Sequence, residues 1–103
     1  MTTKTPEDCH SMEDVRAGVD ELDRELVRML VIRQGYMEAA ARIKPTIDDV
    51  RVPWRIEDVV EKVLESAKRE GLNPRIAEPV WRQLIECCIA HEAEHWKKLR
   101  AER

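Results

Sequence analysis

The stretch Met12–Ile43, MEDVRAGVDELDRELVRMLVIRQGYMEAAARI, decides how the rest of the chain must fold. Its apolar side chains fall at Val15, Val19, Leu22, Leu26, Met29/Leu30, Met37, Ala40 and Ile43, the spacing of three and four that lines up one stripe of an α-helix. Ser11-Met12-Glu13-Asp14 resembles a capping box at its start, and Pro45 ends it by driving the preceding residue out of helical geometry. At 1.5 Å per residue such a helix is about 48 Å long. That is too long for a compact 103-residue monomer to cover, so the stripe calls for a second chain. Gly18 and Gly35 lie inside it at a cost of about 1 kcal/mol each, which points to the close approach of another helix.

Two cations share this stripe. The steps from Leu22 to Arg33 and from Arg33 to Lys44 are each about three whole turns, so all three side chains project the same way. A cation on an apolar face is costly unless an anion meets it, so a carboxylate or an anionic ligand is expected there. Arg16 precedes Arg33 by about 25 Å of helix and about 100° of rotation. Both can hold one small molecule only if the first helix of a second subunit crosses the first. A plainer reading of the same residues pairs Arg33 with an acid on a neighbouring helix, lets Lys44 snorkel and pairs Arg16 with Asp20.

Charged residues make up 38% of the chain and aromatics 4%, with no Phe, which fits exposed helices better than a β-sandwich or barrel. One all-α domain over residues 1–103 is expected, with a thin core. A net charge of −3 gives no global field for nucleic acid or an anionic membrane, although Lys97–Arg103 is locally basic. No apolar run approaches the length of a membrane span, and no basic-then-apolar leader is visible. Cys9, Cys87 and Cys88 form no CxxC pair. A soluble, unprocessed cytoplasmic protein with reduced thiols is the expectation.

Beyond the first helix and a short lead-in (residues 1–11, with Thr5-Pro6-Glu7-Asp8 as a further helix start), residues 45–52 are expected to form a mobile active-site loop. Helix 2 is predicted from Pro53 to Glu70 with Gly71 as its stop, and helix 3 from the Asn73 cap and Pro74 to about Leu99. Pro79 falls about one turn into helix 3 and is expected to bend it slightly. Glu92 sits on the apolar stripe of helix 3 with Cys88 and Trp96. Trp54, Trp81 and Trp96 read as core or dimer anchors.

His91-Glu92-Ala93-Glu94-His95 matches the H-E-x-x-H pattern of zinc hydrolases. Little chain follows to supply a third ligand, there is no substrate-binding strand, and the periodicity turns Glu92 inward while the histidines flank the stripe. Two solvated or packed helix histidines are the expected reading, and no metal.

Taken together, Arg16-x-x-Val19-Asp20-x-x-Asp23-x-x-Leu26-Val27-x-x-Leu30-x-x-Arg33, then Lys44, then Val52-Pro53-x-Arg55, resemble the all-helical class of chorismate mutases. Lys4-Thr5-Pro6-Glu7-Asp8-Cys9 and Ile89-Ala90 followed by Trp96 most resemble its isochorismate pyruvate lyase branch, known from salicylate and siderophore synthesis. The resemblance implies an intertwined homodimer of three-helix subunits, each active site completed by the other chain's first helix. It implies that Arg33 and Arg16 of the partner subunit fork onto the two substrate carboxylates. Lys44 would approach the ether oxygen, and Arg55 would support the ring carboxylate. No cofactor, metal or covalent intermediate is implied.

Three positions depart from the wider family pattern. Glu92 stands where many relatives carry glutamine, and a carboxyl donates a hydrogen bond only when protonated. Burial favours its neutral form and a nearby Lys44 its charged form, which leaves the balance open. Val52 and Ile56 replace acids that hold the ring hydroxyl in dedicated mutases, as in the lyase branch. Cys88 replaces a polar contact seen in some relatives and reads as packing, with a substrate-binding contact as the alternative. The expected activities are chorismate to prephenate and isochorismate to salicylate plus pyruvate. From another class, a non-catalytic helical dimer that binds a partner or small acid would have no need of four converging cations.

Overall fold

A computed structural model describes residues 3–101 as three α-helices, with one short 3-10 turn before the first and another between the first and second, and no strand among the described residues. The helices are α1 (Met12–Ile43), α2 (Pro53–Glu70) and α3 (Pro74–Ala101). The sequence places these ends well, because each is set by a local signal, and α3 runs on only slightly past Leu99. It passes through Pro79 as one helix. Residues 1–2 of the expected lead-in and 102–103 of the basic tail lie outside the described residues. Among the described residues no helix is long and apolar enough to cross a membrane.

The chain divides into two compact units, Met1–Gly35 and Tyr36–Arg103. In the first, the lead-in makes a 3-10 turn at Pro6–Asp8 and then meets the start of α1 at Asp14. The Ser11 hydroxyl accepts the Asp14 N–H at 3.1 Å, which is half of the expected capping box. The other half is shifted: the Asp14 carboxylate accepts from the His10 N–H at 3.1 Å and from the Lys4 ammonium at 3.2 Å. These two donors, His10 first, hold the Asp14 carboxyl below its ordinary value. A Cβ at Gly18 would lie 3.9 Å from the Lys4 carbonyl oxygen, and one at Gly35 would meet nothing within 4 Å. Among the described residues, then, no neighbouring helix comes within 4 Å of a Cβ at either glycine.

The second unit is an antiparallel arrangement. Gly71, at φ 84°, takes the left-handed conformation that ends α2, and the amides of Gly71 and Leu72 both donate to the Ala67 carbonyl at 2.8 Å. Asn73 then caps α3 by accepting the Arg75 N–H at 2.9 Å. With so short a connection the two helices fold back on each other. Arg82 forks onto Glu57 at 2.9 and 3.0 Å, and Arg51 onto Glu86 at 2.6 and 3.0 Å. As α3 advances, its partners move back along the chain from α2 to residue 51 and then to the end of α1. The core is thin: Val60 and Ala67 of α2, Ala77 and Ile85 of α3, Ala41 of α1, and Val50. Residues 45–52, expected as a mobile loop, contain a 3-10 turn at Ile47–Asp49, with the Asp49 carboxylate accepting from the Thr46 hydroxyl at 3.0 Å.

Candidate active site

Lys44 is the first residue beyond α1, and its N–H still closes the helix on the Ala40 carbonyl at 2.8 Å. Pro45 follows, so the next residue has no N–H with which to cap the helix in the usual way. The cap comes from α3 instead. Trp96 Nε1 donates to the Lys44 carbonyl at 2.9 Å. Arg100 donates to the same oxygen through Nη2 at 2.9 Å and to the Ala41 carbonyl through Nη1 at 2.8 Å. Its guanidinium carbon lies 4.2 Å from the centre of the Trp96 ring, and its charge faces the negative end of the α1 dipole.

The side chain of Lys44 turns to the same helix. Its Nζ donates to Glu92 Oε2 at 2.7 Å, joining residues 48 apart in sequence. Glu92 is the one buried charged residue among the described residues, only 4% exposed, whereas the Lys44 side chain keeps 28% of its surface in solvent. Taking a carboxylate out of water requires such a partner. Sequence periodicity places a cation and an acid on apolar stripes, and the fold brings them together. Cys88 is half-buried one turn before Glu92, so residues 88, 92, 96 and 100 form one row along α3.

Three other expected site residues lie on α1 and α2. Arg55, in the first turn of α2, donates to Asp58 at 2.6 Å and lines an apolar groove with Val59, Val63 and Trp81. The Asp58 carboxylate, held by Lys62 first and Arg55 second, lies below its ordinary value. Arg16 is exposed and Arg33 half-buried, and both belong to the first unit.

The His91-Glu92-x-x-His95 segment does not gather into a metal site. His91 Nε2 meets Glu38 Oε2 at 2.7 Å, the two imidazole rings stack 6.1 Å apart, and Glu92 is engaged by Lys44. No group of three or more His, Cys, Asp or Glu able to hold a metal occurs among the described residues.

Sequence reasoning missed the roles of Trp96 and Arg100, the one read as an anchor and the other as part of a basic tail. The signal was present: four-residue steps from Glu92 to Trp96 to Arg100, and a proline that denies α1 its own cap.

Residues 15–93 match the family model for chorismate mutase type II. The chain is also 31% identical over 97 residues to isochorismate pyruvate lyase of Pseudomonas aeruginosa, an alignment covering 94% of this chain and 96% of that protein.

Proposed function

Since the chain belongs to the chorismate mutase type II family and is a chorismate mutase-type enzyme, we propose that one site converts chorismate to prephenate and isochorismate to salicylate plus pyruvate. The observation that carries this reading is the Lys44–Glu92 pair, an ammonium and a buried carboxyl 2.7 Å apart. Both reactions break the enolpyruvyl C–O bond and place negative charge on its oxygen in the transition state. In the first a C–C bond forms in compensation. In the second a ring hydrogen passes to the enolpyruvyl methylene as the ring becomes aromatic. A fixed cation at that oxygen stabilises the transition state more than the ground state.

In this proposal Lys44 and Glu92 are the catalytic residues. Arg33, Arg55 and Arg16 of the partner subunit bind the substrate carboxylates, and Cys88 borders the site. Clamping both carboxylates selects the compact reactive conformer. Neither metal nor cofactor takes part.

The second subunit is part of the proposal. Val19, Leu22, Leu26 and Leu30 on the α1 stripe are 50%, 61%, 49% and 42% exposed. A homodimer that packs these stripes against each other covers them and brings Arg16 of the partner subunit to the site. Its place is the cytoplasm, where the thiols of Cys9, Cys87 and Cys88 stay reduced. The lyase half of the activity is favoured by the Pseudomonas aeruginosa relative and by Val52 and Ile56.

Purified protein incubated with each substrate, followed by prephenate, salicylate and pyruvate formation, tests the reading. Turnover that collapses in Arg33→Ala is expected. No turnover of either substrate would leave a non-catalytic helical dimer that binds a partner or small acid.

A further inference from the structure

We propose that Trp96 and Arg100 are positioning residues for Lys44, a clamp on its main chain that holds its ammonium where Glu92 and the substrate can use it. The inference rests on Lys44 being the catalytic cation, as argued above.

A lysine is a poor choice for a fixed charge, because its four-carbon stem carries about 2 kcal/mol of rotamer freedom. Lys44 is worse placed than most, since it stands at the fraying end of a helix and immediately before a proline. Gly71 is the one described residue with positive φ, so α1 lacks a left-handed cap of its own.

Three side chains of α3, each one turn beyond the last, act on this one residue. Glu92 accepts from the ammonium, while Trp96 and Arg100 donate to the carbonyl, all at 2.7–2.9 Å. Arg100 also ties down the Ala41 carbonyl, so the last turn of α1 and the carbonyl of Lys44 are gripped by one planar group. Because the three side chains share one rigid helix, the lysine is held at both its main chain and its tip against one reference. A displacement of about 1 Å at a catalytic group costs up to about 100-fold in rate. Holding the main chain of Lys44 therefore matters to the reaction as well as the choice of its side chain.

The test is a kinetic and chemical comparison of Trp96→Phe, Arg100→Gln and Arg100→Lys in the full chain. Trp96→Phe keeps the aromatic body and removes the indole N–H, and Arg82→Ala, which breaks a clip between α2 and α3, serves as control. Each is assayed for kcat and KM, and for the acylation rate of the Lys44 amine read by mass spectrometry. Trp96→Phe and Arg100→Gln are expected to lower kcat about 10-fold to 100-fold with KM nearly unchanged. They should also raise Lys44 acylation several-fold, Arg100→Lys should recover part of both, and Arg82→Ala should change neither. Unchanged acylation and kcat in the folded variants would overturn the clamp, as would an equal kcat loss in Arg82→Ala. Faster acylation with unchanged kcat would keep the clamp but refute the catalytic role of Lys44, and full activity in Lys44→Ala would refute that role directly.

Discussion

The two units of this chain spend their apolar residues differently. In the first, the α1 stripe from Val15 to Leu30 lies open, with Leu22 61% and Met29 64% exposed. In the second, shorter residues are closed into a core of Val60, Ala67, Ala77 and Ile85, and even a carboxylate, Glu92, is buried beside them. An exposed Leu costs little by itself, but a continuous stripe of them marks a surface made for another surface. The second unit closes part of its apolar surface into its own core, although Ile43 and Trp54 stay 73% and 71% exposed, and the first leaves its stripe for the partner subunit proposed above.

This contrast can be broken at either end. The largest effect is expected from Leu22→Glu combined with Leu26→Glu, which puts two charges on the open stripe. Sedimentation should show a monomer and the assay no turnover, because the role proposed for Arg16 of the partner subunit depends on the dimer. A dimer that survives both changes would put the partner surface elsewhere. Lys44→Ala should leave assembly intact and lower kcat about 100-fold to 1000-fold, the usual cost of removing one transition-state charge contact. Glu92→Gln should keep assembly and activity, because an amide can still accept from Lys44 and can donate to the ether oxygen.

Ile85→Ala, at 7% exposure, should destabilise the second unit by about 2–4 kcal/mol, read from denaturant midpoints. The smallest effect concerns the exposed clips. Arg82 holds the Glu57 carboxyl, and Arg51 the Glu86 carboxyl, below the ordinary value of 4.5. The stability they add is present above that value and is lost as pH falls below it through the folded-state values. Glu57→Gln should therefore lower Tm slightly at neutral pH and make no difference in acid.

Much of the fold was legible locally. Pro45, Gly71, Asn73 and Pro74 mark ends that depend on φ restriction and capping within a few residues, so they needed no knowledge of the rest of the chain. The periodicity of α1 identified its stripe and the misplaced cations Arg33 and Lys44, and that of α3 found Glu92. Pairing was not legible in this way. Periodicity left Lys44 free to snorkel and Arg33 free to seek an acid, and gave Arg100 no role beyond a charged tail. The Asp14 cap is a small case of the same kind: Ser11 was foreseen as its donor-side partner, but His10 takes the carboxylate because the lead-in folds back over the helix start.

The sequence alone determined three helices, their ends, an unusually long apolar stripe and the cations misplaced on it, because these follow from short-range sterics and the 3.6-residue period. The tertiary structure decided that Lys44 meets Glu92 and is held by Trp96 and Arg100. Those contacts bridge about 50 residues and exist only in one antiparallel register of α3, which is set by packing around Val60, Ala77 and Ile85 and not by any local rule.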